Sequence, residues 1–379
     1  MTEQVFSNAR LVLADEVVVG SVQLRDGRIA AIDSGPTAAL GARDLQGDYL
    51  CPGLVEVHTD NLERHVMPRP KVSFPMQGAV QAHDAEIAAA GITTVLDAIG
   101  VGDPYGDGFR SRDQSALLAV LDRLEAEGAL RADHHIHVRC ELPAPNARAL
   151  FEPFAGHHRL RLISLMDHTP GQRQWSDVEH ARTYYTGKKG WSEARFAEEL
   201  QVAPERQARF AQPHRDWFAR FAREHGIALA THDDTTLAHV DEACALGAAM
   251  SEFPTTLAAA RHAKLRGLST VAGAPNVVRG GSHSGNVSAL ELARDGVLDA
   301  LSSDYVPGSL LQAAWLLMRD AGFALSRAIG VVSAQPARAC GLADRGAIRV
   351  GLRADLLRVK EVGAQPVVRE VYVRGLRVA

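Results

Sequence analysis

The chain has 379 residues, with 41 Lys and Arg against 45 Asp and Glu, a net charge of −4. A composition of 46% hydrophobic and 23% charged residues is that of a folded protein and argues against disorder, and the near-neutral balance argues against a general nucleic-acid binder. Four Cys without a CxxC pair speak against a disulfide framework and a thiolate zinc site, so the 16 His point to imidazole and carboxylate as the ligand chemistry of any bound metal.

The N-terminal stretch MTEQVFSNARLVLADE has no basic segment leading into an apolar core, and no apolar run reaches the ~18 residues of a membrane span. A soluble cytoplasmic protein that engages neither nucleic acid nor membrane is expected, with a homodimer left open. From residue 3 to 50, apolar and polar residues alternate between Gly and Asp breaks (ARLVLAD, EVVVGSVQLRDGRIAAIDSG, DLQGDYL), which predicts short antiparallel strands. AIRVGLRADLLRVK and PVVREVYVRGLRVA near the C-terminus have the same texture. Both ends together predict one small β-sandwich-like domain over 1–52 and 343–379.

The middle, 53–342, differs. Eight short apolar runs recur: GLVEVHTD, GITTVLDAIG, HHIHVRCE, LRLISLMDHT, GIALATHDD, LGAAMSEFP, LSTVAGAPN and VLDALSSD. Between them lie helix-like stretches such as SALLAVLDRLEAEGAL, HRDWFARFAREH and TLAAARHAKLRG. Strands alternating with helices predict an α/β fold with a parallel sheet, and eight such units predict a TIM-like (β/α)8 barrel. A doubly wound open sheet is the alternative. Residues 169–213 read as a long polar loop insertion carrying aromatic residues, of the kind that is functional or mobile.

Several predicted strands end in a possible metal ligand. His58 and Asp60 end the first run, and strand periodicity places residues two apart on one face. Glu141, His168, His232 and Asp304 stand at the ends of later runs. Barrel enzymes carry their chemistry at the carboxyl ends of the strands, so these six are candidate ligands of a dinuclear site. The donor set suits two zinc ions, with manganese or iron fitting as well. Asp304 is the candidate to orient a water and take its proton.

The segment from Pro52 to Asp60 resembles the opening of an amidohydrolase-superfamily barrel. Gln335-Pro336-Ala337-Arg338 and Gly351-Leu352-Arg353-Ala354-Asp355 are similar to that superfamily's return to its β-domain. The usual first-strand His-x-His reads His58-Thr59-Asp60 here, and Glu141 stands where many members use a carboxylated lysine. Longer strings, among them His58 to His65, Asp167-His168-Thr169-Pro170, Thr231-His232-Asp233-Asp234 and Pro275 to Asn286, resemble its phosphonate-pathway triphosphate diphosphatase branch. The resemblance implies metal-dependent hydrolysis of α-D-ribose 1-methylphosphonate 5-triphosphate to the 5-phosphate and diphosphate. It also implies site roles for Asn61 and Glu63.

Such a small anionic phosphorylated sugar needs cations. Arg64 and Arg69 follow the first strand, Arg173 and Lys188 lie in the insertion, and Arg279 sits in a Gly-rich loop with the donors Ser282 and His283. For His83 the resemblance favours substrate contact, whereas its helical setting allows packing or capping. Hydrolysis of a C–N bond in a small cyclic substrate is the competing activity, and a barrel with a vestigial metal site the non-enzymatic one.

Overall fold

Alternation of apolar and polar residues builds the strands at both ends of the chain. The computed structural model describes residues 3–69, 72–105, 114–175, 177–188, 190–282 and 285–379, with the side chains of 114 and 188 outside that set. Five strands come first: β1 (Glu3–Val12), β2 (Val17–Arg25), β3 (Arg28–Ser34), β4 (Arg43–Asp44) and β5 (Tyr49–Pro52). Next come β6 (Leu54–Thr59), β7 (Ile92–Val101), β8 (Asp133–Glu141), β9 (Leu160–Met166), β10 (Ala228–His232), β11 (Met250–Glu252), β12 (Ser269–Gly273) and β13 (Ala300–Ser302). The chain ends with β14 (Leu356–Val362), β15 (Gln365–Val373) and β16 (Leu376–Arg377).

The terminal strands form one sheet, ordered β16-β15-β14-β5-β1-β2-β3, with β4 on β1. Pairing is antiparallel except that β1 runs parallel to β4 and β5. The all-antiparallel expectation fails there because the β2–β3 hairpin lies between them, so β5 returns to β1 by a crossover rather than a turn. The sheet curls until Ile29 of β3 hydrogen-bonds Gly351 and Leu352, just ahead of β14. Its inner face buries Phe6, Leu11, Val22, Leu50, Leu356 and Tyr372.

The eight middle strands, which are the eight runs read from the sequence, pair in chain order from β6 to β13. They close into a barrel where the Asp304 N–H donates to the His58 carbonyl and the Asp60 N–H to the Asp304 carbonyl, each at 3.2 Å. Val55, Val57, Leu96, Leu162, Ala230 and Val271 fill the interior together with Ala337. Ala337 lies on the helix Ala334–Ala339, just past Val331 and Val332, whose carbonyls accept the Leu301 and Val55 N–H groups at strand starts. That end of the barrel is therefore plugged, and the carboxyl end forms its mouth. Gly53 joins the two sheets: a Cβ there would sit 2.1 Å from Thr93 Oγ1, so only glycine fits.

Residues 169–213 are largely helical, contrary to the loop expectation. The helix expected over 214–225 begins at Glu193 and runs to Glu224, with Pro204 and Pro213 inside it. Each proline removes a backbone donor, which makes the sequence read as broken. The buried face of Phe196, Ala203, Ala211, Phe218 and Ala222 keeps helical spacing across both prolines and holds the helix against the barrel. Trp175, Tyr185 and Phe196 give the insertion its own apolar cluster. Gln207 Nε2 donates to Asp167 Oδ2 at 3.1 Å, which lays this helix beside the mouth.

Candidate active site

Strand ends position the polar side chains. His58 lies on β6 where a register shift between Glu56 and Thr59 breaks the regular alternation. The Glu56 carboxylate accepts the His58 N–H at 2.6 Å and the Ser303 N–H at 2.5 Å, tying β6 to the chain after β13. Burial pushes the Glu56 carboxyl up to about 7 against the pull of those bonds. Asp60 does not share the strand face of His58: β6 ends at Thr59, and Asp60 has already turned into the helix Asn61–Val66 with φ −97° and ψ 14°. Period-two alternation no longer applies to it.

Glu252, at the end of β11, is fully buried beneath the mouth. Its carboxylate accepts from Nδ1 of His58 at 3.0 Å, Nδ1 of His232 at 3.4 Å and the Ser164 hydroxyl at 2.7 Å. Burial favours its neutral form, but the facing imidazoles of His58 and His137 outweigh that and hold it well below the usual carboxylate range. His168, two residues past β9, donates through Nδ1 to Glu141 Oε2 at 2.5 Å, and its backbone N–H donates to Oε1 at 2.9 Å. An imidazole that donates through Nδ1 keeps its lone pair on Nε2. Nε2 of His232 lies 3.5 Å, and that of His168 3.9 Å, from Asp233 Oδ2.

The ligating atoms of His168, His232 and Asp233 lie within 4.8 Å of one another, as do those of His58, His232 and Glu252. His232 belongs to both groups. Burial lowers the His232 pKa, and it takes that of His137 down to about 3, which keeps both rings neutral. Neutral imidazoles with carboxylates form the nitrogen–oxygen set that borderline divalent cations prefer. Unsatisfied groups gather at the same end: Asn61 Oδ1, His137 Nε2, Thr169 Oγ1 and Ser302 Oγ are buried without a hydrogen-bond partner. Each costs about 1–3 kcal/mol, and a bound ion or ligand would supply the missing partner. Backbone strain gathers there too, with φ of +56° at Asp233, +51° at Phe253 and +53° at Asp304. The donor set therefore fits a metal.

The structure brings together four of the six sequence-nominated ligands, namely His58, His232, His168 and Glu141. Asp304 is beside them by backbone, and Thr59 Oγ1 donates to its carbonyl at 2.6 Å. Neither Asp60 nor Asp304 enters a ligand group among the described residues. Glu252 was missed, although LGAAMSEFP carries it at a strand end just as HHIHVRCE carries Glu141. Asp233 was missed because alternation turns the neighbour of His232 away, and only its left-handed backbone returns it.

Among the nominated substrate contacts, two are corrected. His83 has no exposed surface. It lies outside the barrel wall, bonded to Asp97 at 2.7 Å and to Asn61 Nδ2 at 3.0 Å, so its role is packing. The buried Arg173 spends its guanidinium on Asp234 Oδ1 at 2.6 Å and the His232 carbonyl at 3.0 Å, holding the loop after β10 in place. Arg64 grips Glu86 with two bonds of 2.7 and 2.8 Å. Asn61 is buried, Glu63 and Ser282 are half-buried, and Arg69 and Arg279 are exposed. His283 and the Lys188 side chain lie outside the described residues. A cleft of about 590 Å³, lined by Pro52, Lys264, Asp299 and Arg338, sits at the plugged end and holds none of the ligand set.

Glu252→Gln tests the anchoring of the imidazoles. The amide keeps the shape but turns an N–H toward one of the two Nδ1–H groups. Metal affinity should fall about 10- to 100-fold in a chelator competition, with little change in fold. Unchanged affinity would remove Glu252 from this role.

A model of the amidohydrolase family matches residues 49–378. The alpha-D-ribose 1-methylphosphonate 5-triphosphate diphosphatase of Escherichia coli (strain K12) is 44% identical over 99% of this chain and 100% of its own length. Among solved structures, the N-acetyl-D-glucosamine-6-phosphate deacetylase of Mycobacterium smegmatis superposes with a TM-score of 0.65 at 17% identity, covering 99% of this chain and 100% of that one. The 5-methylcytosine deaminase of Klebsiella pneumoniae gives 0.63 at 17% identity, covering 99% and 98%. At such identities the two structures speak for the fold alone.

Proposed function

The chain belongs to the amidohydrolase family, and from that premise we propose that it hydrolyses α-D-ribose 1-methylphosphonate 5-triphosphate to the 5-phosphate and diphosphate, the activity after which its Escherichia coli relative is named. The observation that carries this reading is the convergence of His58, His168 and His232 at the barrel mouth, with their Nδ1 edges on Glu252 and Glu141.

The family is metal-dependent. In this reading His58, Asp60, Glu141, His168, His232 and Asp304 hold two divalent ions, zinc by default with manganese or iron fitting the same donors, and Asp233 joins His168 and His232. A bound ion supplies a Lewis acid for a phosphoryl oxygen and a lower pKa for water. The side chains do the rest. Glu252 and Glu141 hold the imidazoles in place through their Nδ1 edges. Asp304, its backbone fixed between His58 and Asp60, accepts the proton of the attacking water. Arg69 follows the helix Asn61–Val66, Arg279 ends the helix Ala274–Arg279 after β12 with Ser282 just beyond it, and in this reading they meet phosphate oxygens at the same end. Among the described residues no helix is long and apolar enough to cross a membrane.

A ³¹P NMR assay of the purified protein with this sugar triphosphate, alongside elemental metal analysis, tests the proposal. Diphosphate and the sugar monophosphate should appear together, stop on chelation and return on metal addition. Stepwise release of orthophosphate, or turnover of a cyclic amide with the triphosphate untouched, would overturn it.

A further inference from the structure

Most of the nominated cations are far exposed or already engaged, yet one guanidinium outside that set stands inside the barrel. On β8, Ile136, Val138 and Cys140 pack outward against the helices. His137 points inward: its ring lies 4.9 Å from that of His58. Glu141 also reaches the site, through His168. Arg139 lies between these two on the same face, half-buried. Its charge depresses the pKa of both His137 and His232, which places the guanidinium near the ligand groups.

Arginine stays charged and offers five donors in a planar fork. Arg159, Arg173, Arg345 and Arg358 are each bonded to carboxylates. Arg139 has no hydrogen bond or ion pair among the described residues, and its Nε is buried without a partner. This holds although Glu141 and Glu252 lie on the same barrel wall, and both carboxylates are turned to imidazoles instead. A buried donor without an acceptor is costly. An anionic ligand in the mouth would satisfy it.

We propose that Arg139 is the specificity-determining cation of this site, receiving the oxygens of a polyphosphate group. The identity of the full substrate rests on the proposed function, but the anion site itself does not. Its position on a barrel strand, rather than on a loop, fixes the fork relative to His58 and His232. Lysine could match the charge but not the two parallel N–H donors.

The test is calorimetric binding of inorganic triphosphate to the metal-loaded protein and to Arg139→Gln and Arg139→Lys, with metal content measured on each. Loss of a charge-assisted contact should weaken binding about 10- to 100-fold in Arg139→Gln, with Arg139→Lys between it and the parent, and metal content unchanged in both. In turnover the same variants should show a raised KM for the sugar triphosphate and a smaller change in kcat. If Arg139→Gln fails to fold, Arg139→Lys decides, and it must still bind more weakly than the parent. Binding within twofold of the parent in a folded variant would overturn the proposal. Arg139-dependent binding without sugar-triphosphate hydrolysis would overturn the proposed function alone. Hydrolysis with an unaltered KM in Arg139→Gln would overturn this inference alone.

Discussion

Replacing His232 by alanine is expected to cost at least about 10³-fold in kcat/KM, which is ~4 kcal/mol of transition-state stabilisation. The size follows from position. His232 is the one imidazole common to both ligand groups, so its removal takes a donor from each. It also leaves Asp233 Oδ2 without the nitrogen 3.5 Å away. The fold should survive, because Glu252 keeps its bonds from His58 and Ser164. The measurements are ³¹P NMR turnover, bound metal per chain and a thermal melt. Turnover should collapse together with metal occupancy, while the melt moves by only a few degrees. Activity within tenfold of the parent would mean that the chemistry lies elsewhere in the barrel.

The sequence made the barrel legible because short apolar runs recur along it, several of them with polar last residues. GIALATHDD and HHIHVRCE show it plainly. Three things were not legible, each for a physical reason. Local backbone departs from alternation at the strand ends, so Asp60 leaves the face of His58 and Asp233 returns to that of His232. Tertiary packing overrides the proline signal at Pro204 and Pro213, so the insertion is helix rather than loop. Charge partners depend on contacts far apart in the chain, as with Arg173 on Asp234 and Arg64 on Glu86. A list of basic residues therefore cannot tell a spent cation from an available one. Arg139 and Arg173 look alike in sequence, and only the second has its carboxylate.

Asp97→Asn should be the most destabilising conservative change near the mouth, at about 3–5 kcal/mol. Between β7, β8 and the helix Met76–Ala89, His134 sets Nδ1 2.8 Å from Asp97 Oδ2 and Nε2 3.3 Å from Asp84 Oδ1. Ionised carboxylates only accept, so both ring nitrogens donate and His134 is an imidazolium. Burial opposes its charge, but Asp97 and Asp84 outweigh burial and raise its pKa to about 9. Asp97 in turn is held far below its usual range, because His134 and His83 outweigh its own burial. Asparagine would leave a buried cation with one carboxylate instead of two. The pH dependence follows from the signs. A histidine whose folded pKa lies above its unfolded value of about 6.5 stabilises fully below that value, and its contribution fades as pH rises through about 9. The depressed Asp97 stabilises above its ordinary pKa of 3.8 and loses that only in strong acid. In urea titrations the parent should therefore lose stability, up to ~3 kcal/mol from this network, between pH 6.5 and 9. The variant should start lower at pH 6 and slope less, so that the two curves converge toward alkaline pH. A gap that stays constant across that range would mean that His134 is neutral in the fold. The same network reaches the mouth through His83 and Asn61, so the variant should also raise KM while leaving the metal in place.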